Sequence, residues 1–295
     1  MKGIILAAGK GTRLYPMTKP ICKPLLPVYD KPLLYYPLSV LQQAGIRDVL
    51  IIVPPDDTEP FVRLLGDGSQ LGMHIQYIEQ KVQRGIADAF IVGEQFIGKD
   101  DVCLILSDNI FSGDGFEQQL AQAVELEAKG GAVIFGYYVK HPEAFGVVEC
   151  DADGKAVSIE EKPQKPKSNY IVPGLYFYDN RVVEIANEVQ PSARGELEIT
   201  SVNNAYLEMG ELSVVKLNPS FTWLDAGTED SLLESAMTIQ RLRTATGINV
   251  GCIEEQALKN GWIDAGQMEK LAAQVRNTKY GAYLMERAQR APDKG

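Results

Sequence analysis

Apolar positions in the first half of the chain alternate between short continuous runs and stretches with helical spacing. Residues 3–7 form a short apolar run that leads into glycines, and residues 48–53 form the next run of this kind. Between them, residues 31–44 carry apolar side chains at helical spacing and stop before Gly45, a residue type that often follows the last turn of a helix. The pattern predicts a strand, a loop, a helix and a second strand.

The same alternation continues to about residue 139. Helices are predicted at residues 59–65, 86–96 and 116–129, and strands at residues 74–80, 102–106 and 132–139. Strands that alternate with helices indicate an α/β fold, here a Rossmann-like, mostly parallel sheet with helices on both faces. Because ligands of such sheets bind beyond the carboxyl ends of the strands, we expect the loops after Leu6, Gln80 and Leu106 to line the binding crevice.

Closely spaced strands replace this alternation from about residue 145. Strands are predicted at residues 146–150, 157–161 and 170–178, with Asp153-Gly154 as a hairpin turn between the first two. They form a small β-rich insertion that walls off the crevice. Helical spacing returns at residues 181–188 and 196–209, a strand is predicted at 212–217, and the tail from about residue 228 is largely helical.

Charge and hydropathy exclude several kinds of partner. The formal net charge of −10 comes from interspersed acidic and basic residues, with no block of lysine or arginine. This distribution disfavours nucleic acid and anionic membranes as partners. The apolar start is too short for a signal peptide, and no stretch approaches the roughly 20 apolar residues of a membrane span. We therefore expect a cytoplasmic protein.

The four cysteines and two histidines narrow the chemistry further. The cysteines lie far apart without CxxC spacing, which predicts reduced thiols and disfavours a zinc site. His74 and His141 are too few for a histidine-rich metal centre, and such residues are more often packed or exposed than catalytic. A Ser-His-Asp triad is disfavoured for the same reason. Carboxylates, lysines and arginines remain as candidate catalysts.

The loop over residues 6–14 contains Gly9 and Gly11, which allow backbone N–H groups to approach phosphate oxygens closely. A dinucleotide fingerprint requires a third glycine where Leu14 stands, and a P-loop requires GK[ST] after a longer spacer, so neither motif fits. Taken alone, the loop is a plain glycine turn. However, a stiff stretch rich in lysine and proline follows it, and from there Arg13 and Lys23 could project toward a triphosphate.

These residues also carry a resemblance to a known family. The run GxGTRLxPxT at residues 9–18, followed by KPLLP at 23–27, resembles the signature of the sugar nucleotidyltransferase family. Further matching segments are collinear and extend to about residue 233, at residues 30–39, 65–69, 108–109, 145–149, 160–163, 174–179, 194–200 and 223–228. Weaker similarity continues into the tail. Chance does not explain agreement over so many segments.

The resemblance implies an activity and an organisation. It implies that dTTP and α-D-glucose 1-phosphate are joined to dTDP-glucose and pyrophosphate, by Mg²⁺-dependent in-line attack on the α-phosphate. It divides the chain into a nucleotidyltransferase domain over residues 1–240 and a helical extension over 241–295. Within the domain, residues 1–140 would bind the nucleotide and 141–227 the sugar phosphate. A homotetramer and a second, regulatory nucleotide site are implied as well.

The resemblance also assigns roles to individual residues. The catalytic groups would be Arg13, Lys23, Asp108 and Lys162. The nucleotide would be bound by Ala8, Gly9, Gly11, Thr12, Arg13, Gln80, Gly85 and Asp108. The sugar phosphate would be bound by Asn109, Gly146, Glu161, Lys162, Val172 and Arg194. Asp108 and Asp225 would hold the Mg²⁺ ion, a hard cation that takes one or two carboxylates together with phosphate oxygens.

Alternatives remain open for the nucleotide. Relatives that use dTTP usually read LAGG, SKQ, PxGLAQA and GDN where this chain has Ala8, Cys22-Lys23-Pro24, residues 82–89 and Ser107-Asp108-Asn109. Thymine and uracil differ by one methyl group, worth about 1–3 kcal/mol of binding free energy. A UTP-dependent enzyme that makes UDP-glucose is therefore the main alternative.

Two other classes are less consistent with the residues. A non-catalytic subunit on the same fold would not require the charged set of Arg13, Lys23, Asp108, Lys162 and Asp225. A glycosyltransferase would carry an Asp-x-Asp metal motif after a strand. The one such triplet, residues 151–153, precedes Gly154 and is interpreted as a turn.

Overall fold

The computed structural model describes residues 1–218 and 220–290. The strands in this part of the chain are β1 (Lys2–Leu6), β2 (Pro27–Val28), β3 (Lys31–Pro32), β4 (Asp48–Val53), β5 (His74–Glu79), β6 (Val102–Leu106), β7 (Asn109–Ser112), β8 (Ala132–Tyr138), β9 (Gly146–Cys150), β10 (Ala156–Glu161), β11 (Tyr170–Ile171), β12 (Leu175–Tyr178), β13 (Leu212–Lys216) and β14 (Thr222–Asp225). The helices are α1 (Tyr35–Gln43), α2 (Thr58–Leu65), α3 (Asp88–Val92), α4 (Glu94–Ile97), α5 (Phe116–Glu127), α6 (Val182–Glu188), α7 (Ile199–Glu208), α8 (Glu229–Thr246), α9 (Ile253–Lys259), α10 (Ala265–Gln274) and α11 (Lys279–Arg290).

A ten-stranded mixed sheet forms the centre of the molecule, in the order β10-β9-β11-β8-β12-β6-β1-β4-β5, with β13 paired to β8. β1 lies between β4 and β6 and runs parallel to both, and β5 continues the parallel half beside β4. β12 runs antiparallel to its neighbours β6 and β8, whereas β13 is parallel to β8. The predicted α/β fold with a mostly parallel sheet is confirmed.

Both faces of the parallel strands are apolar because helices cover both. Successive side chains of a strand point to opposite faces, so Ile4 and Ile5 enter different hydrophobic clusters. On the Ile5 side the sheet packs against α1, α2 and α5 and, through α1, against the C-terminal helices α9, α10 and α11. On the Ile4 side it packs against α3, α6 and α7. The continuous apolar runs of the sequence are typical of strands buried in this way.

The β-rich insertion extends the same sheet. β9 and β10 form an antiparallel hairpin, and Gly154 in its turn has a φ of +83°, which confirms the predicted turn. β11 joins this hairpin to β8. The insertion therefore forms one end of the main sheet, beside the crevice.

Several predicted elements are shorter or divided. The helix predicted from residue 31 begins at Tyr35, because Lys31 pairs with Val28 in the small β2–β3 hairpin. The helix predicted over residues 86–96 is divided into α3 and α4 at Gly93, where a Cβ atom would lie 2.9 Å from the Ala89 carbonyl oxygen. The strand predicted over residues 170–178 is divided into β11 and β12, with Pro173 and Gly174 between them.

The C-terminal helices begin at a well-defined cap. The Thr228 hydroxyl accepts a hydrogen bond from Ser231 N, and the Ser231 hydroxyl accepts one from Thr228 N, forming a capping box for α8. The domain boundary predicted between residues 240 and 241 falls within this helix and stays a prediction. In residues 1–218 and 220–290, no helix combines the length and apolar character required to cross a membrane.

Candidate active site

The glycine loop after β1 packs against the residues that follow it in the chain. Gly11 has a φ of +60°, a left-handed conformation that favours glycine. A Cβ atom at this position would lie 3.0 Å from the Thr18 side chain and 3.1 Å from that of Lys23. The Thr18 hydroxyl donates a 2.7 Å hydrogen bond to the Gly11 carbonyl oxygen. The loop therefore packs against the stretch that carries Lys23, whereas the backbone of Gly9 borders open space.

A two-stranded ladder brings together the two carboxylates predicted to bind metal. β7 and β14 pair antiparallel, with Asp225 opposite Asn109, and Ala226 N donates a 3.0 Å hydrogen bond to the Asp108 carbonyl oxygen. Neither strand was predicted from the sequence. Burial and the nearby charge of Asp108 raise the pKa of Asp225 to about 6, whereas Lys23 and Arg13 act to lower it.

Two cations flank this pair. The Lys23 ammonium donates to the Asp108 carboxylate in a largely buried ion pair, and its side chain is only 9% exposed. A Cβ atom at Gly227 would lie 3.1 Å from both the Arg13 guanidinium and Asp225 Oδ1, so both side chains border the Gly227 backbone. The positive charges of Lys23 and Arg13 favour the ionised form of Asp225. This corner can accept a polyphosphate and a cation together.

Asn109 is engaged within the protein. Its Nδ2 group donates to Asp108 Oδ1 at 2.8 Å, and its Oδ1 atom accepts from Gly174 N at 3.0 Å and from Trp223 Nε1 at 2.7 Å. Because three of its hydrogen-bonding positions are used in this way, Asn109 orients Asp108 and the β7–β14 ladder. Its predicted contact with the sugar phosphate can use only the second Nδ2 hydrogen.

A polar wall opposite the carboxylates comes from β10 and α7. Glu161 Oε2 accepts a 2.5 Å hydrogen bond from the Thr200 hydroxyl, and a Cβ atom at Gly146 would lie 3.4 Å from both of these oxygens. Val172 N donates to the Gly146 carbonyl oxygen at 2.8 Å. The missing side chain of Gly146 leaves room beside Glu161, whose carboxylate can accept hydrogen bonds from hydroxyl groups.

Two further cations lie at the rim of this wall. Lys162 has a φ of +45°, which is unusual for a residue with a side chain, and its N–H donates to the Phe145 carbonyl oxygen at 3.0 Å. Such strain is concentrated at functional positions. The Lys162 ammonium is 3.8 Å from Glu161 Oε1 and half-exposed. Arg194 makes a bidentate pair with Glu198 and reaches Glu161 at 3.5 Å.

One cavity of about 490 Å³ joins the carboxylate corner to the polar wall. The predicted residues that line it are Arg13, Asp108, Asn109, Gly146, Glu161, Lys162, Val172 and Asp225. The other predicted residues do not line it, and they are Ala8, Gly9, Gly11, Thr12, Lys23, Gln80, Gly85 and Arg194. The cavity has the size of a small-molecule site.

The predicted base-binding residues lie on a loop beside this cavity. Gln80 is 3% exposed, and the Gln83 amide nitrogen donates to the Ala8 carbonyl oxygen, so the loop crosses over the glycine loop. Gly85 has a φ of +115°, and a Cβ atom there would overlap the Leu197 backbone. Ile86, the next residue, does line the cavity.

The sequence reasoning missed part of the lining. Apolar and aromatic side chains close the cavity around the polar groups, and they include Ile86, Leu106, Phe145, Tyr176 and Trp223. Phe145 and Trp223 lie inside matched motifs and pack edge to face at 5.4 Å, so the motifs contained a signal for them. Thr200 was missed as well, because its contact with Glu161 depends on the packing of α7 against β10.

The residues present fit a hard divalent cation. Asp108 and Asp225 lie close enough that burial and the charge of Asp108 raise the pKa of Asp225, and a bound cation would favour its ionised form. Within residues 1–218 and 220–290, no group of three or more His, Cys, Asp or Glu side chains converges as a complete metal site. Asp108 and Asp225 could therefore hold Mg²⁺ only together with water and substrate phosphates, as is usual for this ion.

The sequence is similar to proteins of one known family. The family model described as nucleotidyl transferase matches residues 2–241. A glucose-1-phosphate thymidylyltransferase of Neisseria meningitidis serogroup A is 55% identical, over 97% of this chain and 98% of the relative. The Mycobacterium tuberculosis protein of the same name is 51% identical, over 98% of this chain and 100% of the relative.

Solved structures give the same result for the fold. A Bacillus anthracis structure described as a glucose-1-phosphate thymidylyltransferase in complex with sucrose is 42% identical, with a TM-score of 0.74 over 81% of this chain and 94% of that chain. The structure of a UDP-glucose pyrophosphorylase complexed with UDP-glucose has a TM-score of 0.73 over 82% of this chain and 99% of that chain. Because the two sequences are only 24% identical, this similarity shows the fold alone. On the strength of the family model and the near-full-length relatives, this chain belongs to the nucleotidyl transferase family.

Proposed function

We propose that this chain joins dTTP and α-D-glucose 1-phosphate to give dTDP-glucose and pyrophosphate. One observation carries the proposal: a single cavity is lined at one end by Arg13, Asp108 and Asp225 and at the other by Glu161 and Lys162. The first end suits a triphosphate with its cation, and the second suits a sugar phosphate. The names of the relatives at 51–55% identity support the same pair of substrates.

In the proposed reaction, a phosphate oxygen of glucose 1-phosphate attacks the α-phosphorus of dTTP. A P–O bond forms at that atom, the bond to the β-phosphate oxygen breaks, and pyrophosphate leaves with the electron pair. A phosphate monoester has a second pKa of about 6, so at neutral pH the nucleophile is already ionised. No general base is required, which agrees with a cavity lined by neither His74 nor His141.

Catalysis then depends on positioning and on charge compensation. Lys162 holds the sugar phosphate against the α-phosphorus, and Glu161, held by Thr200, accepts hydrogen bonds from sugar hydroxyls. Arg13 binds the departing phosphates, and Lys23 bridges the two substrates from beside Asp108. When bound at Asp108 and Asp225, Mg²⁺ would neutralise charge on the triphosphate.

The test is an assay of pyrophosphate release with glucose 1-phosphate and each of the common triphosphates, with Mg²⁺ present and then chelated. The parent enzyme should be most active with dTTP and inactive without the metal. Equal or better rates with UTP would reassign it to the synthesis of UDP-glucose. Absence of pyrophosphate release, with sugar transfer from a nucleotide sugar, would indicate a glycosyltransferase instead.

A substitution of Lys162, at the end of the cavity proposed to bind the sugar phosphate, tests the mechanism further. Lys162→Met should lower kcat/KM for glucose 1-phosphate by about 100-fold, because a charged hydrogen bond to the phosphate is lost in the transition state. Lys155→Met is the matched control, since Lys155 is an exposed lysine outside the cavity. Near-parental kcat/KM in Lys162→Met would remove this residue from the mechanism.

We also propose the organisation implied by the resemblance: a cytoplasmic homotetramer, with a catalytic domain over residues 1–240 and an extension over 241–295. Leu233 and Met237, one turn apart on α8, are 62% and 44% exposed and would suit a subunit interface. A second cavity of about 660 Å³, between the start of α5 and the C-terminal helices, would suit the regulatory nucleotide. Light scattering and binding stoichiometry test these two points.

A further inference from the structure

The base-binding loop ends in a buried carboxylate that the proposed mechanism does not use. Asp88 is the first residue of α3 and is 1% exposed. Its Oδ2 atom accepts a 2.7 Å hydrogen bond from Gln80 Nε2, and its Oδ1 atom accepts a 2.6 Å hydrogen bond from Arg84 Nη2. Because a buried charge is costly unless it is paired, these two contacts account for its stability there.

The chemistry of this contact dictates the orientation of the Gln80 amide. An ionised carboxylate accepts hydrogen bonds and donates none. The Arg84 guanidinium provides the compensating positive charge, so Asp88 faces Gln80 purely as an acceptor. Gln80 must present Nε2 to Asp88, since the reversed amide would set its own oxygen against the carboxylate.

The opposite end of the amide remains available to a ligand. Gln80 Oε1 accepts no hydrogen bond from the residues that the structure describes, and it is absent from their fully enclosed, unpartnered polar atoms. This oxygen therefore retains some contact with solvent, although Gln80 as a whole is only 3% exposed. The loop that follows Gln80 contacts the glycine loop through the hydrogen bond from Gln83 to Ala8, and Ile86 at its end lines the cavity, so this loop lies beside the proposed nucleotide site.

We infer that Asp88 is a positioning residue: it holds the acceptor oxygen of Gln80 toward the nucleobase and so selects bases that carry an N3–H group. The inference rests on the proposed function, because it requires Gln80 to face the base. Thymine and uracil donate from N3 and would pair with Oε1. Cytosine carries an unprotonated N3, whose lone pair would oppose the lone pairs of Oε1.

The main test replaces Asp88 by asparagine. In Asp88→Asn the Arg84 guanidinium, which only donates, should retain the amide oxygen, so the amide N–H group faces Gln80 and favours the reversed Gln80 amide. The ratio of kcat/KM for dTTP to that for dCTP should fall by about tenfold or more, because the reversed Gln80 amide no longer presents its acceptor oxygen to the base. The kcat/KM for dTTP should account for most of this fall, because the reversed Gln80 amide sets its own N–H group against the N3–H group of thymine.

Further variants separate positioning from a structural role. Asp88→Ala removes both the acceptor and the buried charge, and it should lower the same ratio even if the asparagine variant folds poorly. Gln80→Leu should abolish discrimination by itself, and adding Asp88→Asn to it should change the ratio no further. Glu94→Gln, an exposed carboxylate-to-amide change on α4, is the control and should keep the parental ratio. Thermal melts by circular dichroism check the folding of each variant.

The outcomes are distinguishable. If the parent enzyme releases pyrophosphate but both Asp88 variants keep its dTTP-to-dCTP ratio, the positioning role is wrong and the proposed function stands. If the ratio falls equally in the Gln80→Leu background, Asp88 acts by another route and the inference is overturned. If the parent releases no pyrophosphate with any pyrimidine triphosphate and calorimetry detects binding of neither dTTP nor dCTP, both the function and the inference fail.

Discussion

Replacing Glu127 by glutamine should stabilise the protein at neutral pH. Glu127 is the last residue of α5 and is 2% exposed, and its Oε1 atom has no hydrogen-bond partner among the described residues. Burial and the carboxylates of Asp101 and Asp179 raise the pKa of Glu127 from 4.5 to about 7, against a smaller opposing effect of the N-terminal amino group. The folded protein therefore holds a proton here that the unfolded chain releases.

The sign and size of the effect follow from this difference. Below pH 4.5 both states are protonated at Glu127, and the residue causes no change in stability with pH. Between pH 4.5 and about 7 the unfolded chain ionises first, so the free energy of unfolding falls by about 1.4 kcal/mol for each pH unit, or about 3 kcal/mol in total. Glutamine cannot ionise, and its amide can still donate to Asp101, so Glu127→Gln should escape this loss.

Urea denaturation at pH 5 and pH 8 measures the difference. The stabilisation of Glu127→Gln relative to the parent protein should be small at pH 5 and reach about 3 kcal/mol at pH 8. Glu125→Gln is the matched control, because Glu125 is exposed on the same helix and should give little change at either pH. A stabilisation of equal size at both pH values would refute the assignment of the raised pKa to Glu127.

Two predictions concern the candidate site. Gly85→Ala should raise KM for dTTP by about tenfold or more, because the new Cβ atom would displace residues 80–86, the loop proposed to bind the base, from Leu197. Gly154→Ala, also at positive φ but facing open space, is the control and should leave KM unchanged in steady-state assays. Because Asp225 has a pKa of about 6, the Mg²⁺ concentration for half-maximal activity should rise as pH falls below 6. In Lys23→Met this rise should begin at higher pH, because the substitution removes a positive charge that lowers the pKa of Asp225. A Mg²⁺ requirement that does not vary between pH 5 and pH 7 would contradict the second prediction.

The strands of the parallel half could be predicted closely because their signal is local. The apolar runs at residues 48–53 and 102–106 coincide with β4 and β6. The division at Gly174 could not be predicted, because it accompanies a close approach of the Leu106 side chain, which would lie 2.6 Å from a Cβ atom at this position. A periodic pattern records which side chains are buried, and it contains no information on how near a side chain from a distant segment will come.

The same distinction holds for the candidate site. The sequence by itself determined the chemical inventory: a glycine loop, two carboxylates, the lysine and arginine residues expected to bind phosphate, and the motifs that carry them. Only the tertiary structure decided how these groups meet, through the β7–β14 ladder that sets Asp225 opposite Asn109 and through the hydrogen bond that joins Gln80 to Asp88. Both contacts depend on pairing and packing between segments, whose geometry is set by the whole fold and by no local pattern of residues.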